Sequence, residues 1–405
     1  MSRHWVLLFA YHFPPENSAG AARPFRFYKY LPAHGFNCHV ITAADVSSRP
    51  DLDAEYVADP FQQQPRRGAG SQSELFIRKF LLPGVVGAQW ALHAYQAGLR
   101  FLREHPNDRV TAFSTFPPLG CHLAAWRLAS KTGLSWVADF RDPLAGNPIH
   151  DLLPGRSRLI YEGLQRAFSD SAGAFIANTD EAERLLKRKH PSRASRVHLI
   201  WNGFDPERRI SALPIPPRDF KLLSHVGELY MGRTAAPLLE SFERLLRSGR
   251  LPAASLRVQL VGSVQSACLP PPAFVQAAAA QGWLQLRPNQ VPKAEALEIA
   301  QSSDGLLLIQ PHSAIQVPGK LFEYLQIGRP ILALVPRNSS AEGVLAKSGV
   351  TYRCVYSDSP PAEFDAALLD FVGLPSTPIQ ANQWFEETFN AESQTEALAN
   401  LIRQL

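Results

Sequence analysis

Residues 310–336 carry the densest chemistry in the chain. An apolar strand leads through Pro311 and a short loop into Val317-Pro318-Gly319-Lys320-Leu321-Phe322-Glu323-Tyr324-Leu325, then Gly328-Arg329-Pro330 and a second apolar strand. Pro318 and Gly319 precede the expected helix and leave its first backbone N–H groups open to a phosphate. Glu323 is expected on the first turn, where a carboxylate can accept from two neighbouring ribose hydroxyls. A glutamate that only steadies the helix dipole would read the same. Residues 222–242 give a strand, Gly227, Tyr230, Gly232-Arg233 and a helix. That places Arg233 at the carboxyl edge of a sheet, where ligands bind in open α/β folds. Its fork of donors suits a diphosphate, although a surface ion pair would use it equally well. Near the N-terminus a strand ends in Pro14-Pro15-Glu16-Asn17-Ser18-Ala19-Gly20 and a helix follows. Small residues at such a turn admit an anion to backbone donors, and a plain βα turn needs no more.

Two series of elements must position these residues. Short apolar runs at 5–9, 38–42, 112–114, 136–139, 174–177 and 197–201 read as strands, with helical pattern at 21–34, 90–105, 119–132, 155–170 and 180–189. Runs buried on both faces are expected of a parallel sheet covered by helices. A second series of strands starts at 222–226 and recurs near 257–261, 284–286, 305–309, 331–334 and 350–353. Between the series, 205–219 carries Pro206, Pro214, Pro216 and Pro217, a linker composition. The expected organisation is an N-terminal α/β domain over 1–204, a hinge over 205–219, a second α/β domain over 220–380, and a helical tail over 381–405. Residues 45–72 are polar and read as a mobile loop. Asp51-Leu52-Asp53 inside it is formally a DxD, but its setting gives no reason to expect a metal there.

Composition narrows the classes. The chain has 405 residues, 45% hydrophobic and 19% charged, enough for two cores. Cys38, Cys121, Cys268 and Cys354 are scattered without a CxxC pair, which argues against a zinc site or a disulfide framework and fits a reducing cytosol. The run at 5–13 is broken by His12 and followed by Pro14-Pro15-Glu16, so it reads as a buried strand and not as a signal peptide. No stretch of 18 apolar residues suggests a membrane-spanning helix. The net charge of +5 combines +7 over the first 200 residues with −2 over the remainder. A basic half suits anionic lipid or a phosphate-bearing acceptor, and nothing resembles a nucleic-acid module. Residues 75–102 mix Phe76, Phe80, Leu81, Leu82, Val85, Val86 and Trp90 with Arg78, Lys79 and Arg100, a pattern that suits a membrane surface as well as a core.

The ordered motifs resemble glycosyltransferase family 4, the retaining enzymes of the GT-B fold, and especially members that build bacterial surface polysaccharide. The resemblance runs through Tyr11 to Gly20, Gly35-Phe36-Asn37-Cys38-His39-Val40-Ile41-Thr42, Thr115-Phe116-Pro117-Pro118, Asp139-Phe140-Arg141-Asp142-Pro143, Asn178-Thr179-Asp180, Trp201-Asn202-Gly203-Phe204-Asp205 and 317–330. It implies two Rossmann-like doubly wound domains with a deep cleft between them, and a C-terminal helix, 381–405, that returns towards the first domain. It also implies a nucleotide-sugar donor, tilted towards UDP, a glycan or polyprenyl-linked acceptor, and a hexosyltransferase-type activity in the cytoplasm, at the inner membrane surface. Gly20 would approach the donor phosphate, Arg233 would neutralise the diphosphate, Val291 would contact the base through its backbone, Pro318, Gly319 and Lys320 would meet phosphate, and Glu323 would hold the ribose. Asp139, Arg141 and Asp142 would line the cleft near the transferred sugar.

Two positions depart from the family pattern. Leu238 stands where many members have a lysine, and Ile315 where many have a second glutamate. Lys320 is then the substitute cation, and His312 or Gln316 the candidate contact to the sugar. Retaining transfer of this kind needs no protein nucleophile. It needs charge stabilisation on the leaving diphosphate, and fixed cations can supply that without a metal or other cofactor. The alternatives are a non-hydrolysing sugar-nucleotide 2-epimerase of the same fold, which needs no acceptor, and a non-catalytic nucleotide-sugar-binding protein.

Overall fold

The computed structural model describes residues 2–16, 18–43, 49–60, 86–147, 155–230, 232–252 and 254–405. Contacts divide the chain into two compact units, Met1–Asp205 with Asn390–Leu405, and Pro206–Phe389.

The first unit holds strands β1 (His4–Phe9), β2 (Asn37–Ala43), β3 (Ala54–Val57), β4 (Arg109–Phe116), β5 (Ser135–Phe140), β6 (Ala174–Ala177) and β7 (Val197–Leu199). Its helices are α1 (Ala19–Tyr30), α2 (Trp90–Glu104), α3 (Leu119–Thr132), α4 (Gly155–Ser171) and α5 (Asp180–Lys189). The strands pair in the order β3-β2-β1-β4-β5-β6-β7. Every recorded pairing is parallel, with Leu7 opposite His39 on one side and Ala112 on the other. The sequence reading missed β3, which lies inside the polar segment taken for a loop. Its four residues pair with β2 from Val40 to Ala43. A short edge strand buries little and so leaves a weak apolar signal. Residues 45–48 and 61–72 of that loop, and residues 75–85 of the expected membrane-facing segment, fall outside the described residues. Val86 onward is described, and Trp90 is fully buried.

The second unit holds β8 (Lys221–Val226), β9 (Leu256–Val261), β10 (Leu284–Arg287), β11 (Gly305–Ile309), β12 (Ile331–Val335) and β13 (Tyr352–Tyr356). Its helices are α6 (Ala236–Arg247), α7 (Pro272–Ala280), α8 (Lys293–Gln301), α9 (Gly319–Ile327), α10 (Ser340–Ser348), α11 (Pro361–Gly373) and α12 (Gln383–Phe389). The strand order is β10-β9-β8-β11-β12-β13, so the winding reverses between β8 and β11. Leu223, Leu239, Phe242, Leu260, Leu307 and Leu332 form the core beneath one face. Full burial of such side chains contributes roughly 1.5–3 kcal/mol each. The segment from Pro206 belongs to this unit, where Arg329 donates to the Leu213 carbonyl at 2.6 Å and Arg218 pairs with Asp304 at 2.6 Å.

The last helix, α13 (Ala391–Arg403), rejoins the first unit. The chain therefore returns at Asn390, later than the expected 381. Asn390 caps α13 by accepting from the Glu392 N–H at 2.9 Å. Leu398, Ala399, Leu401 and Ile402 then enter the core formed by Val6, Leu8, Val40 and Phe113.

Candidate functional site

In the second unit the predicted residues converge at the carboxyl ends of β8 and β11, the point where strand order reverses. Strand β8 ends on His225 and Val226, and the chain turns at Gly227 with φ +118°. A Cβ there would stand 2.7 Å from Lys320 Nζ, so only glycine lets that ammonium lie against the backbone. Lys320 is the second residue of α9, whose N-cap, Pro318, offers no side-chain hydrogen bond. The Leu321 N–H turns back to the Pro318 carbonyl at 2.9 Å, and no capping side chain answers the N–H groups of Gly319 and Lys320. A Cβ at Gly319 would meet nothing within 4 Å, so this turn opens into space. The helix is pinned to β8 by the Val226 N–H, which donates to Tyr324 Oη at 3.1 Å.

Arg233 follows Gly232, another left-handed turn at φ +80°. The His312 ring packs on Gly232 so closely that any side chain there would collide with it. The Arg233 guanidinium lies 4.6 Å from the centre of the Tyr230 ring. No carboxylate among the described residues forms an ion pair with it. A cation held on an aromatic face keeps its donors available to an incoming anion.

Lys320 Nζ lies 3.0 Å from His225 Nε2. The other ring nitrogen, Nδ1, is 2.9 Å from the Leu307 carbonyl, which can only accept. His225 is therefore the Nδ1–H tautomer, and its Nε2 accepts from the lysine. Burial pushes the His225 imidazole well below its ordinary value, and the Lys320 charge pushes it further the same way. Desolvation lowers Lys320 to about 7, with Arg233 and Lys293 adding to the shift and Glu323 and Glu228 opposing it. A cation at the positive end of a helix dipole, beside two other cations, makes a local field that favours an anion.

Glu323 begins the second turn of α9 and not the first, because the helix starts at Gly319. Its carboxylate pairs with Lys293, the first residue of α8. Both side chains are partly exposed, so the pair can open to a ligand. Val291 lies in the loop just before α8, and His312 is exposed. Gln316 accepts from Gln310 Nε2 at 3.0 Å. Leu238 is buried in the core on α6. A cavity of about 170 Å³ lies elsewhere in this unit, between Arg209, Ile210, Ser211, Gln326, Gln380, Ala381 and Glu386. Its arginine is tied to Glu386 at 2.9 Å.

In the first unit a second group forms at the carboxyl ends of β1, β4 and β5. Asp139 is fully buried, which differs from the open position expected of it. Arg23 grips both its oxygens at 2.9 Å, and Thr115 Oγ1 donates to one of them at 2.8 Å. The same guanidinium donates to the carbonyls of Ile200 and Trp201, at 2.8 and 2.7 Å. Asp139 thus ties strand ends together through Arg23. Arg141 donates to the carbonyl of Gly20 at 3.1 Å and to those of Phe116 and Pro117. Burial lowers its pKa, with Asp139 and Asp142 opposing. Gly20 is the second residue of α1, and a Cβ there would press 2.9 Å from the His12 ring. Asn17, in the same turn, lies outside the described residues. Among the described residues, no three His, Cys, Asp or Glu side chains converge as a metal site.

The sequence reading missed Arg23 and His225. His225 left one signal, an ionisable residue two places before the glycine turn that ends its strand. Arg23 left none, because its partners lie 116 to 179 residues away.

Two parallel sheets of seven and six strands, each interleaved with helices, define a GT-B fold. The same architecture is found in HepE from Anabaena, crystallised with UDP and glucose, at a TM-score of 0.63 and 11% identity over 99% of this chain and 100% of that one. The lipopolysaccharide outer core galactosyltransferase WaaB in its apo form gives 0.60 and 12% over 99% of each chain. The UDP-GlcNAc 2-epimerase of Methanocaldococcus jannaschii gives 0.52 and 10% over 100% of each. At such identities the likeness concerns the fold. The sequence matches the model of Glycosyltransferase Family 4 over residues 24–208, almost wholly within the first unit, and over that span the resemblance to this family stands. No curated protein matches the chain.

Proposed function

We propose that the chain is a retaining glycosyltransferase that takes a sugar from a UDP-sugar and places it on a glycan or lipid-linked acceptor. The observation that carries this reading is the unanswered positive charge at the switch point of the second sheet. Arg233, Lys320 and the bare N-terminus of α9 would hold the diphosphate. Glu323 would accept from the ribose hydroxyls in exchange for Lys293, and the backbone at Val291 would contact the base. His312, beside Gly232, would contact the sugar. The anomeric carbon–phosphate oxygen bond breaks as the acceptor oxygen bonds the same face, and the acceptor proton passes to the departing phosphate. Charge grows on that phosphate in the transition state, where fixed donors stabilise it most. No metal enters this scheme.

The surface-polysaccharide role and a hexosyl group come from the motif resemblance, which also favours a cytoplasmic site against the inner membrane. Among the described residues, no helix is long and apolar enough to cross a membrane. In the first unit, the motif resemblance gives Gly20 to the donor phosphate and Arg141 and Asp142 to the transferred sugar, and the burial of Asp139 leaves it a positioning role beneath them.

The test is calorimetry with UDP and GDP, followed by turnover of UDP-sugars with and without lipid-linked acceptors, in the presence of a chelator. Tight UDP binding and acceptor-dependent release of UDP are expected. The epimerase-like fold favours a second reading, which epimerisation of UDP-N-acetylglucosamine without acceptor would establish instead. Nucleotide binding without turnover on any acceptor would mark a binding protein.

A further inference from the structure

We propose that His225 is the positioning residue for the Lys320 ammonium, holding it beneath the Gly227 turn in line with an incoming diphosphate. The inference rests on the donor-site reading above and adds a residue that the reading does not use. Lysine side chains are long and flexible, and fixing one costs rotamer entropy. His225 removes that cost in advance. Its ring is buried, and its orientation is set by the hydrogen bond from Nδ1 to the Leu307 carbonyl. Nε2 can then only accept, and it takes one of the three lysine protons at 3.0 Å. The other two donors of Nζ stay available to a ligand. Gly227 leaves the space in which Nζ sits.

The charged groups around this ammonium come from every neighbouring element. Arg233 lies on the loop after β8, Glu228 on the turn beside Gly227, Lys293 at the start of α8, and Glu323 on α9 itself. His225 is the one among these groups that bonds Nζ in the structure. A buried, neutral acceptor favours the charged form of the lysine without adding a negative charge that would repel phosphate. A carboxylate in this place would hold the lysine equally well and oppose the ligand.

Two isosteric variants separate this role from ordinary core packing. In His225→Asn the amide can still donate to Leu307, but Nε2 is lost. In His225→Gln an acceptor remains near the Nε2 position, but the donor to Leu307 is lost. UDP affinity is measured by calorimetry at pH 6 and pH 8, with thermal unfolding as the folding control. His225→Asn is expected to bind UDP about tenfold more weakly at pH 8 and to lose less at pH 6, where more of the lysine is charged. His225→Gln is expected to stay near wild type. The reverse ranking, or equal losses at both pH values, would show that His225 only satisfies the Leu307 carbonyl and would overturn the proposal. Lys320→Ala separates the two inferences. If it binds UDP as tightly as wild type, the donor-site reading itself fails. If it binds weakly while His225→Asn binds normally, only the positioning role fails.

Discussion

Replacing Glu323 with alanine probes the ribose contact most directly. In the unliganded protein this carboxylate is paired with Lys293, and both side chains are partly exposed, at 29% and 58%. A pair of that kind contributes at most about 1 kcal/mol. Hydrogen bonds from ribose to a charged carboxylate contribute roughly 1.5–3 kcal/mol. Binding must exchange one for the other, so the net contribution is about 1–2 kcal/mol. Glu323→Ala should therefore weaken UDP binding about five- to thirty-fold. Glu323→Gln should lose less, since its amide oxygen still accepts. Inorganic pyrophosphate supplies the control because it has the phosphates and no ribose. Removing a carboxylate near the phosphate site should leave pyrophosphate affinity unchanged or raise it. Calorimetry on folded variants reads both ligands. Equal losses for UDP and pyrophosphate would mean that Glu323 acts through Lys293 or the helix. Unchanged UDP affinity would mean that the ribose lies elsewhere.

Arg233→Ala should lower both UDP affinity and kcat, because charge on the leaving group grows during reaction; a change in KM alone would make it a ground-state contact. UDP affinity should fall above pH 7, by up to tenfold per unit, as the free-state Lys320 loses its proton. The phosphate titrates near pH ~6, and Lys320→Ala, titrated alongside, removes that contribution. The same depressed pKa makes the unliganded fold gain stability between pH 7 and about 10.5, where the unfolded lysine keeps a proton that the folded one has shed. Lys320→Met should then unfold at a higher temperature than wild type at pH 6 while binding UDP worse; a lower melting point would show that burial of the ammonium is not costly. Asp139→Ala should cost about 3–5 kcal/mol in urea unfolding, since it leaves the Arg23 guanidinium buried without its counter-ion. A loss under 1 kcal/mol would show that the carbonyls of Ile200 and Trp201 suffice.

Local pattern made most strands of both sheets legible, because the central runs, such as β1, β11 and β12, are apolar and buried on both faces. Strand β3 escaped because four half-polar residues on a sheet edge look like loop. The residues proposed for the donor side stood out through their order along the chain. Their geometry was not, since the helix start at Gly319 decides which turn holds Glu323. The contact between His225 and Lys320 spans 95 residues and appears only when β8 and α9 are side by side. Asp139 shows the opposite failure. Its motif marks a charged residue at a strand end, but burial under Arg23 is a property of the packed sheet and leaves no trace in spacing.

The path of the chain through its two units sets an order for assembly. The second unit is an insertion between Asp205 and Asn390, and the two ends of the insertion meet at the bridge between Phe204 and Asn390. Leu398 and Ile402, both fully buried, complete the core of the first unit. During synthesis the second unit can therefore finish folding while the first still exposes the groove that α13 will fill. Domains usually mature from the N-terminus onward. Here the part made first is the part completed last, and a truncation at residue 389 would damage the unit farthest from it in sequence.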